Sequence, residues 1–369
     1  MRLGDVATYI NGFAFKPSDW SDEGLLIIRI QDLTGNSYQA NYYDGEYQSK
    51  YEVNDGDVLI SWSASLGIYV WNGGKALLNQ HIFKVVFDKV KVDKSFFVHQ
   101  VRNILEKAVS EAHGATMKHL TKPVFDALPF NLPDLEKQQE IAAVLDKIDK
   151  LISLRKEQLT KLEQLIKSRF IELFGNCTGR KRLEEYSTLI TKGASPKWQG
   201  IDYTEEGTLF VTSENVREGY FDLSKRKYLD DRINEIQPRS ILQRNDILIN
   251  IVGASIGRAA VYDYDEIANI NQAVALVRVD YSKINQTYLM TFLNSPQAIE
   301  MYGKMKKGGA RDNLSLQNIA DLQIPVAPME LQLRFATFVE QTDKSKLAVQ
   351  QSLDKMELLK KSLMQQYFG

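Results

Sequence analysis

The sequence predicts an α+β fold present twice in one chain, each copy a globular region followed by a long helical segment, with a pseudo-twofold internal repeat. Three observations predict it. KSRFIELFG at residues 167–175 returns as KSLMQQYFG at residues 361–369, an offset of 194 that also relates Leu128 to Leu322, Gln138 to Gln332, Asp149 to Asp343 and Ser168 to Ser362. Short runs rich in β-branched residues recur at matching places in both halves, as strands do. Each set of runs is followed by a segment of heptad periodicity, the pattern of a long helix seeking an apolar partner.

Upstream of the copied segment the halves still correspond, with a drifting offset. LGDVATYINGF at Leu3 matches LEEYSTLITKG at Leu183 with an offset of 180; GDVLIS at Gly56 matches NDILIN at Asn245 with 189; ASLG at Ala64 matches ASIG at Ala254 with 190; Asn79-Gln80 matches Asn271-Gln272 with 192. HGATMKHLTK at His113 against KGGARDNLSL at Lys307 completes the drift at 194. Small insertions between shared framework strands produce such a drift. Within the regions LLIIRI, DVLISWS and IFKVVF, then TLFVTS, DILINIV and AVALVRV, read as strands, and Asn72-Gly73-Gly74 reads as a hairpin turn. Phe97, Val101, Ile104, Leu105 and Ala108 have helical spacing, as do Leu289, Phe292, Leu293 and Ile299 in the second copy. Each region therefore has strands first and a packing helix late. The predicted boundaries are 1–126, 127–176, 177–320 and 321–369.

After Pro133, Ile141, Ile148, Arg155, Leu162 and Arg169 hold one heptad position, and Leu145, Ile152, Leu159, Ile166 and Leu173 the other. The copy keeps the seam with Phe335, Val339, Val349, Leu353, Met356 and Leu363, interrupted by Lys346 and Lys360. A helix from Glu136 to Phe174 runs ~58 Å at ~1.5 Å per residue and cannot cover its own stripe. The other copy is the nearest partner; the alternative is that each helix packs separately on its own globular region.

The 369 residues, 44% hydrophobic and 10% aromatic, belong to a folded chain long enough for two or three cores. One cysteine, Cys177, excludes an internal disulfide and fits a reducing compartment, and with four histidines no usual four-ligand zinc cluster can be drawn. No run approaches the ~18 apolar residues of a membrane span, and MRLGDVATYINGF lacks a signal-peptide core; the expectation is a soluble, cytoplasmic protein. Lys and Arg number 13 against 15 Asp and Glu over residues 1–126, and 19 against 18 over 176–320. A free-standing DNA binder usually carries a large positive excess, so any contact with nucleic acid is local or shared with partners.

Catalytic motifs are missing. The chain has no GxGxxG, no GxxxxGK[ST] and no Asn-Pro-Pro-aromatic tetrapeptide of the adenine amino-methyltransferases. PDLEK at Pro133 places its carboxylates and lysine too close together for a nuclease metal site; Asp134 and Glu136 instead complement a helix N-terminus. Ser61, Ser63 and Ser65 have no His-acid set. The expectation is no catalysis and no cofactor. What remains are polar features at equivalent places: Gln31-Asp32 with Glu214-Asn215, Ser61-Trp62-Ser63 with Asn250-Ile251-Val252, and Gln80-His81 with Gln272-Ala273. Polar side chains of this kind can read base edges, while Lys and Arg chiefly locate phosphates. Gln31, Ser61, Trp62, Ser63, Gln80, His81, Ser213, Glu214, Asn250 and Gln272 are the candidate readers. Lys16, Arg29, Lys118, Lys197, Arg258 and the basic stretch with Lys306, Lys307 and Arg311 are the candidate phosphate contacts.

Taken over essentially the whole chain, this arrangement resembles the specificity subunit of a type I restriction-modification system. The residues that carry the likeness are the tandem repeat, PFNLPDLEKQQEIAAVLDKID at residues 129–149, its copy IPVAPMELQLRFATFVEQTD at 324–343, and RNDILINIVGASIGRAAV at 244–261. The copy departs with Leu333 and Arg334 where the first has Gln139 and Glu140. The resemblance implies two target-recognition domains, each reading one half of a split sequence in double-stranded DNA, separated by two long antiparallel coiled-coil helices. It also implies two adenine methyltransferase subunits and restriction/translocase subunits as partners, with the chain itself non-catalytic. Two other readings stay open at this point: a self-sufficient methyltransferase or nuclease with degenerate motifs, and a coiled-coil scaffold with no DNA role.

Overall fold

Two 40-residue helices, Leu135–Phe174 and Met329–Phe368, are the longest elements of the computed structural model, which describes residues 1–36, 39–111, 121–305 and 313–369. The chain divides into two units, Met1–Lys156 with Gln351–Gly369, and Glu157–Gln350. Each unit thus contains part of both long helices.

In the first unit an antiparallel sheet has the order Thr8–Asn11, Ile82–Val86, Val58–Ser61, Gly67–Val70. A second, mixed sheet has the order Tyr42–Tyr43, Leu25–Ile28, Ala76–Leu78, Glu52–Val53, with Leu25–Ile28 and Ala76–Leu78 parallel. The second unit repeats the first sheet as Ser187–Lys192, Val274–Val279, Ile247–Asn250, Ala259–Val261, and three strands of the mixed one as Tyr228–Leu229, Thr208–Val211, Ala268–Ile270, with the last two parallel; its fourth strand, Tyr203–Thr204, lies beside Tyr228–Leu229, at the opposite edge from Glu52–Val53 in the first unit. The architecture is α+β and internally repeated. Even the entry to each unit is matched, for Leu3 N donates to Leu128 O and Leu183 N to Leu322 O, both at 2.9 Å.

Three local expectations change. Asn72-Gly73-Gly74 is not a hairpin turn: Gly67–Val70 and Ala76–Leu78 belong to different sheets, and the turn carries the chain between them. Trp71 Nε1 donates to Gly74 O at 2.6 Å and Gly74 N to Asp55 at 2.7 Å, which fixes the crossing. The late helix of the second unit is two helices, Gln286–Leu293 and Pro296–Met305, because Asn294 ends the first and Pro296 opens the second; Ile299 is exposed as a result. The drift also has a step that the alignment missed. The ladder skips Thr188 between Ser187 and Leu189, so the offset of 180 at Leu3 becomes 181 beyond the bulge. Tyr9 is then equivalent to Ile190, and Gly12 to Gly193.

The long helices join the cores through the same residue twice. Gln138 accepts from Asp93 N at 2.8 Å and donates to Pro133 O at 2.7 Å; Gln332 accepts from Asn285 N at 2.9 Å and donates to Ala327 O at 2.8 Å. Asp93 and Asn285 in turn cap the domain helices that begin beside them. At the start of the first long helix Asp134 accepts from Lys137 N at 2.8 Å, as a capping residue does. Within the first unit Lys360 pairs with Asp149 at 2.5 Å and Lys156 with Glu357 at 2.9 Å. Within the second, Phe170 meets Phe335 at 5.4 Å between centroids and Arg169 lies over Phe338. Rising numbers on one helix meet falling numbers on the other, so the helices pack antiparallel in each unit. Lys360, which interrupts the seam in the sequence, is neutralised there by Asp149.

The first unit also holds a buried histidine. His99, 2% exposed, donates from Nε2 to Asp146 Oδ1 at 2.8 Å, and its Nδ1 has no partner. Burial pushes its pKa below the ordinary value, outweighing the attraction of Asp146; Asp149 also raises it and Arg102 also lowers it. The unfolded chain therefore takes up the proton more readily, so stability is full above about pH 6.5 and falls as pH drops through the unfolded-state value. Urea titrations at pH 7.5 and 5.5 should show a smaller loss in His99→Gln than in the wild-type protein. Equal losses would remove His99 as a source of the pH dependence.

Candidate nucleic-acid interface

Parallel neighbours leave a sheet at the same edge. Leu25–Ile28 is followed by the turn of Arg29, Gln31 and Asp32, and Ala76–Leu78 by Asn79, Gln80 and His81, so the two turns lie together. Phe13, just past the strand Thr8–Asn11, donates its N–H to Leu78 O at 2.9 Å and accepts from Gln80 N at 2.8 Å. Trp62, just past Val58–Ser61, donates its N–H to His81 O at 3.1 Å and its indole N–H to Asn11 Oδ1 at 3.1 Å. The Trp62 ring lies edge-on to His81 at 4.9 Å and stacks on Phe83 at 5.7 Å. Four segments distant in sequence thereby meet at one edge.

The second unit gathers the same segments. Asn271 N donates to Val211 O at 3.1 Å, Ile251 N to Ala273 O at 2.9 Å, and Asn250 Nδ2 to Ser213 O at 3.0 Å. The turn of Gln31 is reproduced at Glu214: Arg29 N donates to Asp32 at 2.8 Å and Thr212 N to Asn215 at 2.9 Å. Close approach of backbones makes a glycine obligatory in both units. A Cβ on Gly12 would overlap the Asn79 carbonyl, and one on Gly193 the Ile270 carbonyl.

The candidate readers divide by burial. Ser61 and Asn250 are fully buried, and their side chains serve the scaffold: Ser61 donates to Ser65 O, and Asn250 to Ser213 O and Val216 O. Both are corrected from readers to loop anchors. Ser63 is buried as well, at 5% exposed. Gln31, Trp62, Gln80, His81 and Ser213 are half-buried at the edge, and Glu214 and Gln272 are exposed. Glu214 pairs with Lys227 at 3.0 Å, and that ammonium holds its carboxyl below the usual carboxylate range. It is an acceptor, suited to a base amino group. His81 keeps φ at +72° with a buried, unpartnered Nδ1, backbone strain of a kind concentrated at functional edges.

Among the cations, Lys16 and Lys197 occupy equivalent exposed positions once the bulge is counted, and Arg258 is exposed too. Arg29 is occupied: its guanidinium donates to Gln39 O at 2.7 Å and lies 5.7 Å from the Trp20 ring centroid. Lys118, Lys306, Lys307 and Arg311 lie outside the described residues. Sequence reasoning missed Asn11 and Phe13, and the signal was the pair Asn11-Gly12 aligned with Lys192-Gly193, hidden by the bulge at Thr188. Among the described residues no group of three or more His, Cys, Asp or Glu could hold a metal ion, and no helix is long and apolar enough to cross a membrane.

The family model of the type I restriction modification DNA specificity domain matches residues 1–164 and 190–357. The chain belongs to this family. It is a DNA sequence-specificity subunit of a type I restriction-modification system and not itself an enzyme. Relatives include the type I restriction enzyme EcoBI specificity subunit of Escherichia coli, 28% identical over 92% of this chain and 78% of the relative. The MjaVIII specificity subunit of Methanocaldococcus jannaschii is 22% identical over 99% and 90%. Among solved structures, the S subunit of the type I system of M. genitalium aligns with a TM-score of 0.59 at 14% identity, covering 99% of this chain and 94% of that one. A chain from a structure concerning complex assembly and conformational transition of the type I R-M system aligns at 0.60 and 16%, covering 100% and 96%. These two likenesses bear on the fold alone. The family is one of specificity subunits, and neither the self-sufficient enzyme nor the scaffold without a DNA role is supported.

Proposed function

We propose that residues 1–126 and 177–320 of this specificity subunit are target-recognition domains that each read one half of a split duplex target. The helical segments 127–176 and 321–369 receive two adenine methyltransferase subunits, to which the restriction/translocase subunits attach. The observation that carries the reading is the edge built twice on the same backbone with different side chains: Gln31 against Glu214, Trp62 against Ile251, His81 against Ala273. A shared frame with unlike contact groups suits two unlike half-sites. Exposed leucines on the long helices, Leu154 and Leu165 at 48%, Leu347 at 61% and Leu358 at 69%, favour a protein partner there. Lys16, Lys197, Arg258, Lys306, Lys307 and Arg311 serve the phosphates.

Matched substitutions test the reading. Gln31→Ala should relax only one half-site and Glu214→Ala only the other, by ~1–3 kcal/mol per lost base contact. Lys307→Ala should instead weaken binding to all sequences and lower the salt slope, because phosphate contacts release counterions irrespective of base. Binding of the assembled methyltransferase to duplexes altered in one half-site at a time provides the measurement. Equal loss on both half-sites for Gln31→Ala would take that residue off the reading edge.

A further inference from the structure

We infer that an aromatic cleft beside the reading edge of the first unit takes a single unpaired nucleobase extruded from the target duplex. This rests on the reading of that edge proposed above. Phe13, Phe15, Tyr43, Tyr47 and Tyr51 wall a cleft of about 300 Å³. The rings follow one another at 5.0 Å for Phe13 and Phe15, 5.6 Å for Phe13 and Tyr51, and 5.1 Å for Phe15 and Tyr43. The walls are held in place, since the Tyr43 hydroxyl donates to Glu46 O at 3.0 Å and the Tyr47 hydroxyl to Glu52 at 3.2 Å. Phe13 is nevertheless 43% exposed and Tyr47 37%.

Three features select the occupant. The volume is at the lower end of small-ligand sites, enough for one planar ring system and too small for a strand. Aromatic walls stack with any base, and Glu46 and Gln48, which complete the lining, present acceptors and donors to a base edge. The negative charge of Glu46 among the lining residues opposes a phosphate there. The cations stand outside: Lys16 follows Phe15 and is exposed, and Lys50 Nζ lies 4.8 Å from the Tyr51 ring centroid, placed for the flanking phosphates. Continuity with the reading edge is direct, because Phe13 O accepts from Gln80 N. Enzymes that modify a base take it out of the stack, and removal of an adenine leaves its opposite base without a partner. The second unit has Ala194 and Pro196 at the positions of Phe13 and Phe15, so the cleft serves one half-site only.

The experiment uses the full chain with its partner methyltransferase and duplexes carrying one abasic position at a time. One abasic position in the half-site of the first unit should lower affinity about tenfold for the wild-type protein. The same position should cost nothing further in Phe13→Ala or Tyr51→Ala, while Phe13→Trp restores the dependence. Losses identical in wild type and both alanine variants would overturn the inference, as would alanine variants that bind DNA normally but fail to assemble with the methyltransferase. Intact half-site preference without this coupling defeats the cleft alone; loss of the Gln31 half-site effect defeats the reading edge beneath it.

Discussion

Residues 1–176, expressed with the partner methyltransferase, should form a dimer that directs methylation to an inverted repeat of the half-site read by the first unit. The first unit is not complete within that fragment, since it includes Gln351–Gly369. Met364 is buried in its core, with Leu363, Tyr367 and Phe368 packed beside it. Phe368 meets Phe96 at 5.5 Å, and its carbonyl accepts from Asn103 and Lys107 at 3.3 and 3.0 Å. By the offset of 194, Phe170 and Phe174 are the counterparts of Met364 and Phe368. A second copy of the fragment can therefore insert residues 167–175 where residues 361–369 stand in the whole chain. The exchange is imperfect: Arg169 replaces Leu363, and Phe170 for Met364 overpacks, at a cost of about 1–3 kcal/mol. A twofold interface is self-complementary, and a symmetric reader demands a symmetric site. Light scattering and methylome mapping decide the matter. A monomeric fragment, or a dimer that still requires the asymmetric target, would defeat this account.

Phe174→Ala should destabilise the second unit by about 3–5 kcal/mol, the range for deleting a buried phenyl ring. Phe174 is 3% exposed and touches Tyr288 at 4.6 Å, Phe170 at 5.0 Å and Phe335 at 5.6 Å between centroids. Removing it opens a cavity among three rings that are themselves fixed, the Tyr288 hydroxyl by Pro325 O at 2.8 Å. Phe368→Ala, at the equivalent but half-buried position, should cost less. Calorimetry of the full chain should show the second unit melting earlier in Phe174→Ala. A change no larger than that of Phe368→Ala would mean that this ring cluster does not support the unit.

The same core contacts explain why the chain uses KSRFIELFG and later KSLMQQYFG. Each stretch supplies aromatic or apolar side chains to one unit's core, Phe170 and Phe174 to the second and Met364 and Phe368 to the first. The copies were legible because both must fill similar sites, and the helices because a heptad pattern is local. The candidate site was legible in part. Equivalence of Gln31 with Glu214 and of Gln80 with Gln272 could be read by alignment, since the strands before them are shared.

By itself the sequence determined the internal repeat, the alternation of strand-rich regions with long helices, and the family to which their residues belong. All of these are written in patterns within a few turns of chain or in direct copies. Only the tertiary structure decided which of the polar residues at the edge remain available. Ser61 and Trp62 are neighbours, yet one points into the fold and is consumed by Ser65 O, while the other meets Asn11 and His81. Likewise Asn72-Gly73-Gly74 joins two sheets where local turn chemistry suggests one hairpin. The physical reason is the same in each case. Burial and hydrogen-bond satisfaction depend on which distant backbone arrives alongside, and a single bulged residue such as Thr188 can shift that partner without leaving a mark in the local pattern.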